Sequence, residues 1–162
     1  MLTQARLRTL LTYDPETGEF RWRVQRGGKP VGTVAGTLRD NGYLQIMIDR
    51  VCRRAHRLAW LYVVGEWPVG SLDHIDGDPL NNRIANLRLA DGTQNNANAK
   101  MHHTNKSGHR GVHFDRSRGK WVAYISAHGR RRHLGYFDDI AAAIAVRRAA
   151  ALEAFGEFAR FH

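Results

Sequence analysis

The chain has 162 residues, a formal net charge of +10 and 43% hydrophobic residues, enough for one ordinary domain or two small ones and too apolar for wholesale disorder. No apolar run approaches the roughly 20 residues of a membrane span, the polar start MLTQARLRTLL does not read as a signal peptide, and a lone cysteine, Cys52, excludes an intrachain disulfide and a cysteine-based structural zinc site. These features predict a reducing cytoplasm, no membrane partner, and a polyanion as the usual partner of so basic a chain.

Residues 2–11 predict a short helix with Leu2, Leu7, Leu10 and Leu11 as its apolar positions. YDPETGEF (13–20) is turn chemistry, and EFRWRV alternates as a strand. DNGYLQIMID (40–49) opens on Asn-Gly and predicts a strand centred on Tyr43–Ile48. RRAHRLAWLYVVGEWP (53–68) carries Leu58, Leu61 and Tyr62 at helical spacing, with Gly65 and Pro68 as stops and Trp60 and Trp67 as core. A short strand ending near Asp73 and His74, a long polar loop and a returning strand NLRLA (86–90) follow. Asp91 and Gln94 have the spacing of an N-cap and its capping-box partner, so a helix should start there and run towards His102.

HHTNKSG (102–108) has linker composition, with His102 and His103 as linker residues. Beyond it come three strand-like stretches, HRGVHF, KWVAYISA and RRHLGYF, then an alanine-rich helix over 138–155 with Asp138 as N-cap and Gly156 as stop. The expected organisation is a first domain over 1–103 and a second over 104–162, both in the α+β class.

The stretch DHIDGDPLNN sets acidic side chains around a histidine inside a basic chain. Phosphodiester hydrolysis needs a base to deprotonate water and a cation to offset charge on the phosphate and leaving oxygen. Histidine titrates near neutrality, and carboxylate and amide oxygens suit Mg²⁺ or Mn²⁺. Neighbours on a strand point to opposite faces, so Asp73 and His74 can serve one site only where the strand ends and twists. A calcium-loop reading fails: with Gly77 as its glycine, the first and twelfth positions are Leu72 and Arg83. Asp76, Asp78, Asn81 and Asn82 read as loop-shaping residues.

LDHIDGDPLNNRIANLRLADGTQNNAN resembles the HNH endonuclease family in its phage and homing-endonuclease branch, with Asp73 and His74, Asn86 12 positions after the histidine and Asn95 9 further on. The upstream YDPETGEFRW, NGYLQIMID and HRLAWLYVVGEWP extend the resemblance to about residues 5–100. It implies a β-β-α-metal unit, His74 as general base, Asp73 and Asn95 as ligands of one Mg²⁺ or Mn²⁺ per active site, and Asn86 fixing the loop and orienting His74. The family often has Thr where this chain has Asp91; both can cap a helix. The family places the HRLAW helix near the active site, which brings His56 and Arg57 into reach of a phosphate.

The last third resembles the APETALA/ethylene-response-factor DNA-binding domain, a three-stranded antiparallel sheet packed on one helix. Alternation puts Trp121, Ala123 and Ile125 towards the helix and Lys120, Val122, Tyr124 and Ser126 outward. The resemblance places base-edge contacts at Arg110, His113, Tyr124, Ser126, Arg131 and His133, while Arg116, Arg118, Arg130 and Arg132 suit phosphates. His113, Ser126 and His133 depart from the larger groups of the plant pattern, so its sequence preference does not carry over. The expected function is a metal-dependent endonuclease that nicks double-stranded DNA, homing-type, in a bacterial or phage-infected cell; monomer or dimer stays open. The competing expectations are an inactive DNA-binding regulator and a structured-RNA binder.

Overall fold

The computed structural model describes residues 1–92, 94–95, 105–159 and 161. The chain divides into two packed units, Met1–Ala90 and Asp91–His162.

In the first unit, α1 (Gln4–Leu10) starts at Thr3, whose hydroxyl accepts the Arg6 N–H at 3.2 Å and satisfies a donor left open at the helix start. It buries Leu7 and Leu10. β1 (Leu11–Tyr13) pairs antiparallel with β2 (Phe20–Trp22). β3 (Thr37–Leu38), β4 (Leu44–Ile48) and β5 (Val51–Arg54) form an antiparallel sheet in that order. α2 (Ala55–Val64) ends at Gly65, whose φ of 96° is the left-handed turn that glycine tolerates. β6 (Ser71–His74) and β7 (Leu87–Ala90) make a hairpin, with a 3-10 turn at Ile84–Asn86 leading into β7. Leu7, Leu11, Phe20, Ile46, Ile48, Leu58 and Leu61 are fully buried in one core, each contributing about 1.5–3 kcal/mol as an upper bound.

Two expected boundaries move. Leu11 leaves the expected helix for β1, because Leu11 and Tyr13 gain backbone partners on β2 while staying buried. Arg53 and Arg54 belong to β5, paired with Ile46 and Gln45, so the helix opens at Ala55. Asn86 sits in the 3-10 turn just ahead of the returning strand.

The second unit opens with the expected capping box. The Gln94 N–H donates to Asp91 Oδ1 at 2.8 Å, and the Asp91 N–H donates to Gln94 Oε1 at 2.8 Å. The rest of the expected helix towards His102, the residues His102 and His103, and the expected boundary at 103/104 lie outside the described residues. β8 (Val112–Asp115), β9 (Lys120–Ala127) and β10 (Arg130–Phe137) form an antiparallel sheet with β9 central. α3 (Ile140–Phe155) packs on it through Ala143, Ile140 and Ile144 against Val112, Trp121, Ala123, Leu134 and Phe137. Its N-cap is Asp139, which accepts the Ala142 N–H at 3.1 Å; Asp138 instead pairs with Lys120 at 2.8 Å. Gly156 follows the helix, as expected. Among the described residues no helix is long and apolar enough to cross a membrane.

Candidate active site

The β6–β7 register sets Asp73 opposite Arg88 and His74 opposite Leu87. Asp73 is 5% exposed, and its Oδ2 accepts from Nε and Nη2 of Arg88, each at 3.0 Å. A carboxylate so deep needs a charged partner, and this pair fixes its plane.

His74 closes β6 and is buried. Its Nε2 lies 3.4 Å from Asn82 Oδ1. Asn82 is itself locked: Nδ2 donates to the Leu80 carbonyl at 3.0 Å, and its own carbonyl accepts the Tyr13 hydroxyl at 2.8 Å. Burial pushes the Tyr13 hydroxyl up to about 12, so it stays a donor. The turn between β1 and β2 presses on the same loop: Gly18, at φ 76°, would place a Cβ 2.7 Å from Arg83 N and Asn82 C, closer than a side chain permits.

His74 also meets His56 edge to face, with centroids 5.0 Å apart, and Tyr43 lies 5.4 Å from His56 and 6.2 Å from His74. Burial depresses the His74 pKa below its ordinary value, opposed by the Asn82 bond and by Asp76, Asp73 and Asp78. Burial, helped by the charges of His74, Arg54 and Arg57, pushes His56 down to about 3. Both rings are neutral at pH 7.

Asn86 clamps the loop. Its Oδ1 accepts the Asp76 N–H at 3.1 Å, and its Nδ2 donates to Asp76 Oδ1 at 3.0 Å and to the Asn81 carbonyl at 2.9 Å. Asn81 Nδ2 donates to Asp76 Oδ2 at 2.6 Å, and the Asp78 N–H to Asp76 Oδ1 at 2.8 Å. Partial burial pushes the Asp76 carboxyl up, but the bonds from Asp78, Asn86 and Asn81 outweigh it and hold the pKa below the usual carboxylate value. The acidic and amide side chains of the loop therefore bond largely to one another.

The structure brings Asp73, His74 and Asn86 to one hairpin, and adds Arg88, which sequence reading did not place, and Asn82, expected only as a loop-shaping residue. Asn95 belongs to the unit that opens at Asp91; it is half-buried, and its N–H donates to the Asp91 carbonyl at 2.9 Å. Arg57 donates to the carbonyls of Gly70 at 2.9 Å and Pro68 at 3.2 Å.

A family model described as HNH endonuclease matches residues 53–97, the stretch from the end of β5 through both strands of this hairpin to Asn95 and just beyond. Protein 3.8 of Escherichia phage T7 is 36% identical over 109 residues, covering 67% of this chain and 89% of the phage protein. Residues 53–97 match the HNH endonuclease domain family. An uncharacterised HNH endonuclease of Acanthamoeba polyphaga mimivirus is 29% identical over 147 residues, 90% of this chain and 68% of the viral one. No solved structure matches. HNH nucleases generally use a divalent metal ion, and a nuclease of this family would act on DNA.

The second unit exposes a polar sheet face. Cross-strand partners share a face, so His113, Lys120, Tyr124, Ser126, Arg131 and His133 lie together around Val122, which is expected outward but is buried. The Arg131 guanidinium sits 3.6 Å over the Tyr124 ring, and His113 lies 5.9 Å from Tyr124. His133 contacts Tyr136 at 4.7 Å across a register shift between His133 and Gly135. Arg118 pairs with Asp115 at 3.2 Å and lies over the Tyr136 ring; Arg116 and Arg130 are exposed. Arg132 pairs with Glu153 of α3 at 3.1 Å, on the helix side. Arg110 is half-buried ahead of β8 and lines a small cavity with His109, Arg147 and Arg148.

Proposed function

We propose that this chain is a metal-dependent, homing-type endonuclease that hydrolyses phosphodiester bonds in double-stranded DNA, nicking one strand per visit. The observation that carries the reading is His74, a buried imidazole at the end of β6 next to the Asp73 carboxylate, with its pKa lowered by burial.

His74 is the general base. With Nε2–H directed at Asn82 Oδ1, the proton from water goes to Nδ1, and the neutral ring is the form that can take it. Asn82 and Asn86 act as positioning residues: one sets the tautomer, the other holds the loop. The donor chemistry suits a hard cation: Asp73 would hold Mg²⁺ or Mn²⁺ through its carboxylate and, on the family spacing, Asn95 would do so through its amide oxygen. When bound, the cation offsets charge on the phosphate and the leaving oxygen. Arg88 holds Asp73 in orientation. The outward face of β8–β10 is assigned to targeting, with His113, Tyr124, Ser126, Arg131 and His133 towards base edges and Arg110, Arg116 and Arg118 towards DNA. One metal site cuts one strand, so a double-strand break requires two chains.

One observation favours a second reading. The Arg88 pair occupies Asp73, as in a DNA-binding regulator whose nuclease fold has lost its cation. Supercoiled plasmid separates the two readings. The nuclease reading expects nicking with Mg²⁺ or Mn²⁺, none in EDTA, and a loss of about 10²-fold or more in His74→Ala with DNA affinity kept. Tight DNA binding without nicking at any metal concentration assigns the regulator.

A further inference from the structure

The exposed face of the β3–β4–β5 sheet is not used by the reading above. Ile46 and Ile48 point into the core, and antiparallel partners share a face, so Thr37, Gln45, Met47, Cys52 and Arg54 line the opposite side. Thr37, Cys52 and Arg54 are exposed, Met47 is 48% exposed and Gln45 is half-buried. A groove runs along this face, with Trp22, Arg26 and Lys29 on its far wall.

Aromatic rings hold two of its cations. The Arg26 guanidinium lies 4.5 Å over Trp22, and that of Arg54 lies 4.5 Å over Tyr43. Tyr43 is the ring that touches His56 and His74. Arg54 therefore links the sheet face, through Tyr43, to the ring of the candidate base. Among the described residues Arg26, Lys29 and Arg54 form no ion pair, whereas Arg6, Arg21 and Arg88 each have a carboxylate. Arg54 acts electrostatically on His56 beside the candidate base, and three cations without an ion pair along one face suit an anionic occupant.

We propose that this sheet face is a DNA-contact surface of the nuclease unit, which lays the duplex across β3–β5 so that the scissile phosphate reaches His74. The inference rests on the nuclease reading and extends it. Three strands at about 4.8 Å spacing span roughly 10 Å, which fits a major groove about 12 Å wide. Arg54 and Arg26 contact phosphates at either end of the face and Lys29 borders it. Gln45 and Thr37 sit centrally, where an amide or hydroxyl can meet base edges, and Gln is suited to adenine. Cleavage-site choice thus has a determinant in the catalytic unit itself.

Cys52 is the chain's only cysteine, and it lies on this face opposite Met47. The full chain is saturated with a duplex carrying a mapped nick site, in EDTA so that no cutting occurs, and alkylated with a maleimide. DNA should slow modification of Cys52 at least about tenfold if the face is covered. A Thr9→Cys, Cys52→Ser chain places the thiol on exposed α1 and should react equally with and without DNA. Arg26→Ala and Arg54→Ala should each flatten the salt slope of binding by about 0.9, and Arg6→Ala, neutralised by Asp49, should not. Gln45→Ala should relax the choice of the mapped site. A chain that cuts and binds while Cys52 reacts at an undiminished rate, or while both thiols are shielded alike, overturns the inference and leaves the nuclease reading standing. A chain that neither cuts nor binds overturns both.

Discussion

His56 and His74 meet edge to face, 5.0 Å between centroids, and both rings are buried. Two imidazoles this close cannot both be protonated cheaply, and burial already disfavours either charge. His56, depressed to about 3, binds no proton in the folded state over a range where the unfolded chain does, beginning near pH 6.5. Its contribution to stability is therefore complete above about 6.5 and is lost progressively as pH falls towards 3, on the order of 1 kcal/mol per pH unit. Urea titrations between pH 7 and 4 should show this slope, and His56→Phe should flatten it while keeping the ring packing. An unchanged acid slope in the variant would exclude His56 as its source.

The Asp73–Arg88 pair makes a second prediction. Removing one member of a buried pair strands the other charge, at a cost of about 3–5 kcal/mol. Arg88→Met should destabilise strongly at neutral pH, and adding Asp73→Asn should recover most of the loss. A divalent cation can take the place of the guanidinium at Asp73, so Mn²⁺ should raise the melting temperature of Arg88→Met more than that of the wild type. Equal metal shifts in both chains would detach Asp73 from the cation.

These partners show what a sequence does and does not reveal. The alternation of β4, the length of β9 and the capping box at Asp91 and Gln94 are written in local spacing, and the structure has them in place. β5 was hidden because Arg53 and Arg54 run directly into the apolar period of α2, and only pairing with β4 makes them strand. Arg88 could have been found by folding the hairpin on paper, since opposite charges at facing positions are a cross-strand signal. Asn82 could not: the loop offers several amides in a row, and the choice among them depends on Tyr13 and Gly18 from a distant turn. Asp138 and Asp139 are equally good caps by type, and Lys120 decides between them by engaging the first.

On the second unit, Arg131 and its neighbours should behave differently. Arg131 lies on the outward face against Tyr124, while Arg132 is paired with Glu153 behind the sheet. If the outward face reads DNA, Arg131→Ala should lower affinity and relax site choice by about 1–3 kcal/mol of discrimination. Arg130→Ala should weaken binding to all sequences alike, and Arg132→Ala should leave binding nearly unchanged, with at most a small loss of stability. The measurement is binding and nick mapping on a randomised target library. Equal effects from Arg131 and Arg132 would remove the sheet face from targeting.

Arg147 in α3 is 7% exposed, and its Nε has no acceptor among the described residues. Burial, with the nearby Arg110 charge, depresses its pKa. The side chain lies against Gly111, where a Cβ would come within 2.7 Å of Nε, so its stem fills space that the glycine leaves open. The methylenes pack while Nε goes without an acceptor, which separates two contributions usually confounded in an arginine. Arg147→Met keeps most of the volume and removes the charge, and should hold or raise the stability of this unit by about 1 kcal/mol. Arg147→Ala should lower it through the cavity left behind. Repulsion from Arg110 is screened by salt, so the wild type should gain more melting temperature between low and high salt than the methionine variant. A lower melting temperature for Arg147→Met at both salt concentrations would show that the guanidinium contributes an attraction larger than its desolvation.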